Sequence, residues 1–183
     1  MVQLQSGILL ISDPFLKDPN FLRTVVFLCE HQDQGSFGFV VNKPIELTLQ
    51  DVVPDAEGLF IPLSEGGPVQ KDTLHFLHRR PDLIEGGVEV IDHIFWSGDF
   101  AQTLSLLHSG QLLSSDIRFF IGYSGWGTSQ LQQEIDDRSW ITRVAKNDLI
   151  FNPDITGIWK ESLTDLGGEY RQMVNYPIDP QLN

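Results

Sequence analysis

A serine with glycine neighbours is the first candidate for chemistry in this chain. Ser124 lies in residues 121–127, IGYSGWG, which we predict to be a strand-to-helix turn. In α/β-hydrolases a nucleophilic serine occupies such a turn, with glycine two residues away on each side. Gly122 meets that requirement, but Trp126 stands in the second glycine position, and no histidine follows Ser124 to act as its base. A glycine-rich structural turn is therefore favoured, and Ser124 is kept as the candidate nucleophile of a hydrolase alternative.

The same glycines suggest a second interpretation. Gly122, Gly125 and Gly127 precede a predicted helix, where backbone N–H groups can hold an anion. No lysine follows them, and their spacing is neither that of a P-loop nor that of a dinucleotide fingerprint. A tight turn that packs Trp126 is the preferred interpretation.

Two histidines three residues apart have a spacing that helical metal sites use. His75 and His78 lie in the segment TLHFLHRRPDL, which alternates like a strand and would send them to opposite faces. No cysteine or further close histidine completes a ligand set. The sequence therefore predicts neither a metal site nor a cofactor.

Polar residues follow two apolar runs. Glu30 and His31 come after the run 24–29, and Asn42 comes after the run 36–41. If the runs form a hairpin, Glu30 and His31 lie near its turn and Asn42 lies a strand's length away, so one compact site is disfavoured. Turn and strand-end roles are preferred. The ligand-binding candidates, which share a place in motifs at strand ends, are Glu30, His31, Asn42, Gly67, Pro68, Ser124, Gly125, Trp126 and Gly127.

The elements that position these residues are mostly short strands. β-Branched and aromatic runs bounded by Gly, Pro and Asp predict strands at 7–11, 24–29, 36–41, 59–63, 74–77, 88–90, 94–96 and 117–123. The first two are apolar at successive residues, so both of their faces should be covered. The connections are too short for crossover helices, which indicates antiparallel pairing. The predicted fold is one α+β domain with a mixed, mainly antiparallel sheet and helices packed outside it.

Three helices are predicted from capping signals. Asp99 is the expected N-cap of the first, which ends at a Ser-Gly step. Ser129 is the expected cap of the second, with Gln132 in the capping-box position. Asn152 is the expected cap of the third, which runs from residue 153 to residue 166.

The net charge of the chain argues against nucleic-acid binding. Twelve Lys and Arg residues oppose 25 Asp and Glu residues, which gives a formal net charge of −13. Nucleic-acid affinity comes largely from neutralising phosphates with basic side chains, and the only adjacent basic pair is Arg79-Arg80. Direct binding of DNA or RNA is therefore disfavoured.

Cysteine content and the chain ends bear on compartment. Cys29 is the only cysteine and lies in an apolar run, which is typical of a reduced, buried packing residue. The first residues lack a basic segment before a long apolar run, so neither a signal peptide nor a membrane span is predicted. We expect a cytoplasmic protein, with residues from about 176 to 183 forming a tail.

Several blocks resemble the YqgE/AlgH family of small bacterial proteins. They are GILLISDPFLKDPNFLRTVVFLCEHQDQGSFGFVVNKP at 7–44, Gly66-Gly67-Pro68-Val69, WSGD at 96–99 and FFIGYSGWGTSQLQQEI at 119–135. The resemblance spans nearly the whole chain in order. It implies a curved, barrel-like sheet with flanking helices, no established activity, and a link, by name alone, to transcriptional regulation. The matching positions, none an assigned catalytic residue, are Glu30, His31, Gly35, Asn42, Gly67, Pro68, Ser124, Gly125, Trp126, Gly127 and Gln130.

These observations favour a non-enzymatic cytoplasmic protein that binds a protein or small-molecule partner, with an indirect regulatory role. The alternatives are a serine hydrolase using Ser124 and a regulator that contacts DNA, the latter disfavoured by charge. If the loop at Gly66-Gly67-Pro68 and the segment 124–126 form one concave surface, we expect the ligand there.

Overall fold

Strands make up most of the regular structure of this chain. The computed structural model describes residues 2–177. Its strands are β1 (Ile8–Ser12), β2 (Val25–Gln32), β3 (Gly35–Val40), β4 (Pro44–Thr48), β5 (Pro62–Glu65), β6 (Val69–His78), β7 (Val88–Ile91), β8 (Ile94–Trp96), β9 (Ile117–Gly127) and β10 (Trp140–Val144). Its helices are α1 (Leu49–Val52), α2 (Phe100–His108), α3 (Gln130–Asp136), α4 (Asn147–Ile150), α5 (Ile158–Leu166) and α6 (Tyr170–Met173), with 3-10 turns at Pro54–Ala56, Ser114–Asp116 and Ile155–Gly157.

The strands form one strongly curled, half-barrel sheet. Their order is β10-β1-β2-β3-β9-β6-β8-β7, and every neighbouring pair in this path is antiparallel. β5 adds a parallel pairing to β9, and β4 pairs antiparallel with β5. The predicted α+β class with a mixed, mainly antiparallel sheet is therefore confirmed. None of the helices in residues 2–177 combines the length and the apolar character needed to cross a membrane.

Alternate side chains of a strand pack into hydrophobic clusters on opposite faces of the sheet. In β1, Leu9 and Ile11 join a cluster with α5, whereas Ile8 and Leu10 join a cluster with α3 on the other face. A third cluster packs α2 against β6 and β9. All four of these β1 side chains are fully buried, which confirms the prediction that both faces of the first strand are covered.

The predicted hairpin is also confirmed. β2 and β3 pair antiparallel around a short turn, and the register shifts by one residue between Leu28 and Glu30. This shift makes Cys29 an extra residue on β2, a β-bulge. Strands β4 and β10 were not predicted, because each is only five residues long and neither is a continuous apolar run. Strand β5 begins at Pro62 rather than at residue 59.

The prediction of a turn at residues 121–127 is wrong. β9 continues to Gly127, so Ser124, Gly125 and Trp126 lie within a strand. Gly122 explains the error, because it has a left-handed φ of +67° and acts as an irregularity inside the strand rather than as its end. A Cβ at this position would lie 2.7 Å from the carbonyl oxygen of Val69.

Of the three predicted helix caps, one is confirmed, one is confirmed in position alone, and one is wrong. Asp99 does cap α2, and its Oδ1 accepts from the N–H of Gln102 at 2.8 Å. Ser129, however, has a left-handed φ of +61° and makes no capping hydrogen bond. The last long helix begins at Ile158, since Asn152 and Asp154 use their carbonyl and carboxylate oxygens to form turns before it.

The predicted tail begins at the limit of the described chain. The ring of Tyr176 lies 5.6 Å from that of Phe15. Residues 178–183, the rest of the predicted tail, lie outside the described residues.

Candidate functional site

An open cleft of about 640 Å³ lies where the turn end of the β2–β3 hairpin meets β6, β8 and β9. We call it the aromatic cleft. Its lining residues are Glu30, Gln32, Gln34, Gly35, Ser36, Phe37, Val69, His75, Trp96, Tyr123, Gly125 and Trp126.

Strand register places its central residues in one row. Phe37 on β3 lies opposite Glu30 on β2 and opposite Gly125 on β9. Directly paired residues in an antiparallel sheet point to the same face, so all three face the cleft. The two-residue turn of the hairpin sets the Glu30–Phe37 pair, and the bulge at Cys29 shifts the register of β2 beyond it.

Aromatic rings form the walls. The ring centroid of Phe37 lies 4.7 Å from that of Trp96 and 6.2 Å from that of Tyr123, both in edge-to-face geometry. The ring of His75 lies 5.9 Å from that of Tyr123, also edge to face. All four side chains are only half-buried. The rings therefore hold one another in place while leaving aromatic surface open to the cleft.

The absence of a side chain at Gly125 keeps the floor open. A Cβ there would lie 3.2 Å from Cε2 of Tyr123, which is closer than ordinary van der Waals contact. Gly125 also lies directly opposite Phe37. A larger residue would thus fill the space between the two rings.

The aromatic cleft has an acidic side chain but no basic one among its described lining residues. Glu30 is the only acidic residue and no lysine or arginine occurs among the described residues that line it. Burial lowers the pKa of His75, so its imidazole is neutral at pH 7. The His75 Nε2 lies 3.0 Å from the hydroxyl of Thr73. The cleft therefore carries one negative charge beside exposed aromatic faces.

Ser124 lies behind this surface rather than in it. Its side chain is fully buried, and the hydroxyl donates to the carbonyl oxygen of Gly66 at 3.1 Å. No ionisable side chain hydrogen-bonds to it in the described part of the chain.

The Gly66-Gly67-Pro68 loop meets the strand that carries Ser124. A Cβ on Gly67 would lie 2.3 Å from the backbone of Tyr123 and 2.4 Å from the Ser124 oxygen, so only glycine allows this approach. Neither Gly67 nor Pro68 lines the cleft, but Val69 after them does. The two motifs are therefore neighbours, and they support the cleft wall from behind.

The tryptophan of the motif is held by a carboxylate. One oxygen of Glu134 on α3 accepts from the indole N–H of Trp126 and from that of Trp140, both at 2.8 Å. The other oxygen accepts from the Gln130 amide at 3.0 Å, and Gln130 in turn accepts from the N–H of Gly127. This network fixes the end of β9, and with it Gly125, against α3.

The remaining candidates divide between the two ends of the hairpin. His31 lies 2.7 Å from the Ser36 hydroxyl, on the face opposite Glu30 and Phe37. Asn42 accepts from the N–H of Val25 at 2.8 Å and donates to the carbonyl of Arg23 at 2.9 Å. Five residues of β2, roughly 17 Å, separate it from Glu30. Asn42 thus ends the hairpin and is not part of the cleft.

His75 and His78 lie on one strand, as their alternation predicts. His75 faces the cleft, while His78 is fully buried beside Phe95. No group of three or more potential metal ligands occurs among residues 2–177.

A comparison with protein families assigns the chain. The model of the AlgH-like family matches residues 9–171. The chain belongs to the AlgH-like family. The resemblance seen in the sequence is thereby confirmed.

Relatives support the assignment along the whole chain. A UPF0301 protein of Chlorobium limicola is 44% identical over 181 residues, covering 99% of this chain and 97% of its own. One from Chlorobaculum tepidum is 42% identical over 180 residues, covering 98% of this chain and 96% of its own.

Solved structures give the same fold. The solution structure of AlgH from Pseudomonas aeruginosa superposes with a TM-score of 0.74 at 26% identity, covering 97% of this chain and 98% of that one. A crystal structure from Corynebacterium diphtheriae superposes with a TM-score of 0.81 at 17% identity, covering 96% and 94%.

Sequence reasoning missed most of the cleft in this AlgH-like chain. Phe37, Trp96 and Tyr123 were not identified as site residues, and His75 was considered only as a metal ligand. The available signal was pairing: in the predicted hairpin a two-residue turn at 33–34 places Phe37 opposite Glu30 and on the same face. Glu30, Gly125 and Trp126 are the predicted candidates that line the cleft.

Proposed function

We propose that this protein is a binding protein rather than an enzyme, and that its aromatic cleft takes the protonated amine of a small molecule with an apolar body. The observation that carries the proposal is the row formed by Glu30 and Phe37, with Trp96 and Tyr123 beside it. Aromatic faces attract cations through their quadrupole, by about 0.5–1 kcal/mol at exposed sites and about 2 kcal/mol when desolvated.

The charge of the cleft selects among ligands of the same size. A cleft of about 640 Å³ lies within the range that small-molecule sites occupy. An anion would meet the Glu30 carboxylate without any lysine or arginine in the described lining to offset it. A cation would gain from Glu30 and from the rings, so the sign of the charge should decide affinity.

The hydrolase alternative has less support. Ser124 is buried, and its hydroxyl hydrogen is engaged by the carbonyl of Gly66. A nucleophilic serine needs a base within hydrogen-bond reach and access for the substrate. We therefore expect that a fluorophosphonate probe leaves the native protein unlabelled, and labelling lost in Ser124→Ala would support the hydrolase instead.

We place the protein in the cytoplasm, supported by the lone buried thiol of Cys29, and give it an indirect regulatory role exerted through the bound ligand. Direct contact with nucleic acid is not proposed, since the formal charge is −13. Flow-through on a heparin column at low salt is the expected behaviour.

Two probes with the same ring and opposite charge test the proposal. Phenethylammonium carries a cation and 3-phenylpropionate an anion, and each can be titrated while the indole N–H of Trp96 is followed by NMR. We expect saturable binding of the amine, with the acid at least about fivefold weaker. Glu30→Gln should weaken the amine about threefold, whereas Glu46→Gln, an exposed acid outside the cleft, should change nothing.

Equal affinity for the two probes, or loss of binding in Glu46→Gln to the same extent as in Glu30→Gln, would contradict the proposal. A lysine side chain of a partner protein offers the same chemistry. A short peptide containing lysine next to phenylalanine, titrated in the same way, separates the two sources: tighter binding of the peptide assigns the cleft to a protein partner.

A further inference from the structure

A second cleft lies at the opposite end of β9 and has the opposite character. Its volume is about 450 Å³, and it lies between β5, the start of β9, the turn Ser114–Asp116 and the segment 151–155. Arg79 and Arg118 both line it, with Ser64, Ser114 and Ser115. We call it the arginine cleft. Seven residues of β9, roughly 23 Å, separate Arg118 from Gly125 in the aromatic cleft.

Arg118 has no carboxylate partner within ion-pair distance in the described part of the chain. Its guanidinium donates to the carbonyl oxygens of Ile150 and Val41, both at 2.8 Å, and to the Ser64 hydroxyl at 3.2 Å. It also lies 5.2 Å from the ring centroid of Phe120. Burial lowers the pKa of Arg118 to about 10, which still leaves it charged at pH 7.

Neutral oxygens satisfy hydrogen bonds but leave the charge uncompensated. An arginine has five N–H donors, and three hydrogen bonds to described residues leave two of them for another acceptor. A buried charge is costly unless it is paired. A bound anion would supply the missing pair.

The neighbouring carboxylates are already shared. Asp116 accepts from Arg79 at 2.8 Å and lies 3.5 Å from Arg80, and Arg80 also pairs with Asp82 at 2.7 Å. Arg79 and Arg80 therefore share these two carboxylates, and Arg118 takes part in none of the pairs.

Two further acids occur near the rim, and neither pairs with these arginines. Glu161 accepts from the Asn152 amide at 2.8 Å, and Asp154 accepts from the N–H of Gly157 at 3.1 Å. Neither carboxylate is among the hydrogen-bond partners of Arg118, which are neutral oxygens.

We propose that the arginine cleft is a second ligand site, which binds an oxyanion, a carboxylate or a phosphate, through Arg118 and the serine hydroxyls at its rim. Planar guanidinium groups bind both kinds of oxyanion in a bidentate manner. The walls contributed by Ile61, Phe151 and Ile155 suit an apolar body attached to the anion. This inference rests on residues that the aromatic cleft does not share, so it stands independently of the proposed function.

Benzoate and inorganic phosphate are suitable probes, titrated by NMR at ionic strength held constant with chloride. We expect saturable shifts of the Ser115 and Asn152 amide signals. Ser115 is exposed, so Ser115→Glu should fold and should weaken binding about tenfold relative to the matched Ser115→Gln, because it adds a like charge at the rim. Arg118→Lys should also weaken binding, since it keeps the charge but loses the planar fork.

The relative affinities of the two anions identify the class of ligand. Tighter benzoate assigns the site to carboxylates, and tighter phosphate assigns it to phosphates. Shifts that never saturate for either anion would overturn the proposal, as would equal affinity in Ser115→Glu and Ser115→Gln. Glu30→Gln should leave anion binding unchanged, so failure of one site does not imply failure of the other.

Discussion

The carboxylate of Glu134 provides the sharpest test of how the end of β9 is held. One of its oxygens accepts from two indole N–H groups, those of Trp126 and Trp140, at 2.8 Å each. The rings themselves meet edge to face, with centroids 6.1 Å apart. Glu134→Ala would remove the shared acceptor and leave both buried indoles without it.

The expected cost follows from those two bonds. A buried donor left without a partner costs about 1–3 kcal/mol, so Glu134→Ala should lower the free energy of unfolding by about 2–5 kcal/mol. Glu134→Gln keeps an oxygen for the indoles but loses the charge, and its NH₂ would face the Gln130 amide. We expect Glu134→Gln to lower the free energy of unfolding by about 1–2 kcal/mol.

Urea unfolding at pH 7.5, followed by circular dichroism, measures both changes. Gln132→Ala on the exposed face of the same helix is the matched control and should cost less than about 0.5 kcal/mol. If Glu134→Ala costs no more than Gln132→Ala at an unchanged m-value, the shared carboxylate does not hold the strand and the reasoning is refuted.

Three further predictions concern the core and the loop behind the cleft. Burial lowers the native pKa of His78 below its unfolded value near 6.5, so stability should be full above that pH and fall by up to about 1.4 kcal/mol per unit below it. The difference between the urea midpoints at pH 7.5 and 5.5 should shrink in His78→Gln, with a remainder from His75, and an unchanged difference would contradict this. Gly67→Ala should lower the free energy of unfolding by at least about 3 kcal/mol, because its Cβ would overlap the backbone of Tyr123. Gly58 also has a positive φ but has open space around it, so Gly58→Ala should cost about 1 kcal/mol. Equal losses of unfolding free energy in urea would refute the close approach at Gly67. Burial raises the pKa of the Cys29 thiol, so a thiol reagent should label the native protein far more slowly than the denatured one, and equal rates would contradict its burial.

The sequence was informative wherever a local pattern decides structure. Continuous apolar residues in β1 and β2 predicted strands covered on both faces, and Asp99 predicted the start of α2. Both features depend on neighbours in the chain, through burial of successive side chains and through a carboxylate beside free backbone N–H groups.

The cleft depends on register, which single-sequence patterns do not specify. The two-residue turn of the hairpin pairs Glu30 with Phe37, but the extra residue Cys29 changes which residues farther along β2 share their face. Tyr123 faces the cleft beyond a second irregularity, at Gly122. Either irregularity changes the face to which later side chains point. The glycine-rich segment was interpreted as a turn for the same reason, since a left-handed glycine inside a strand and one at its end look alike in sequence.

Intermolecular NOEs from phenethylammonium test the central claim most directly. At saturating ligand, the methylene next to the ammonium should show NOEs to the rings of Phe37 and Trp96, the two rings nearest each other in the cleft. NOEs confined to any other surface, or none at a concentration that saturates the chemical shifts, would contradict the account.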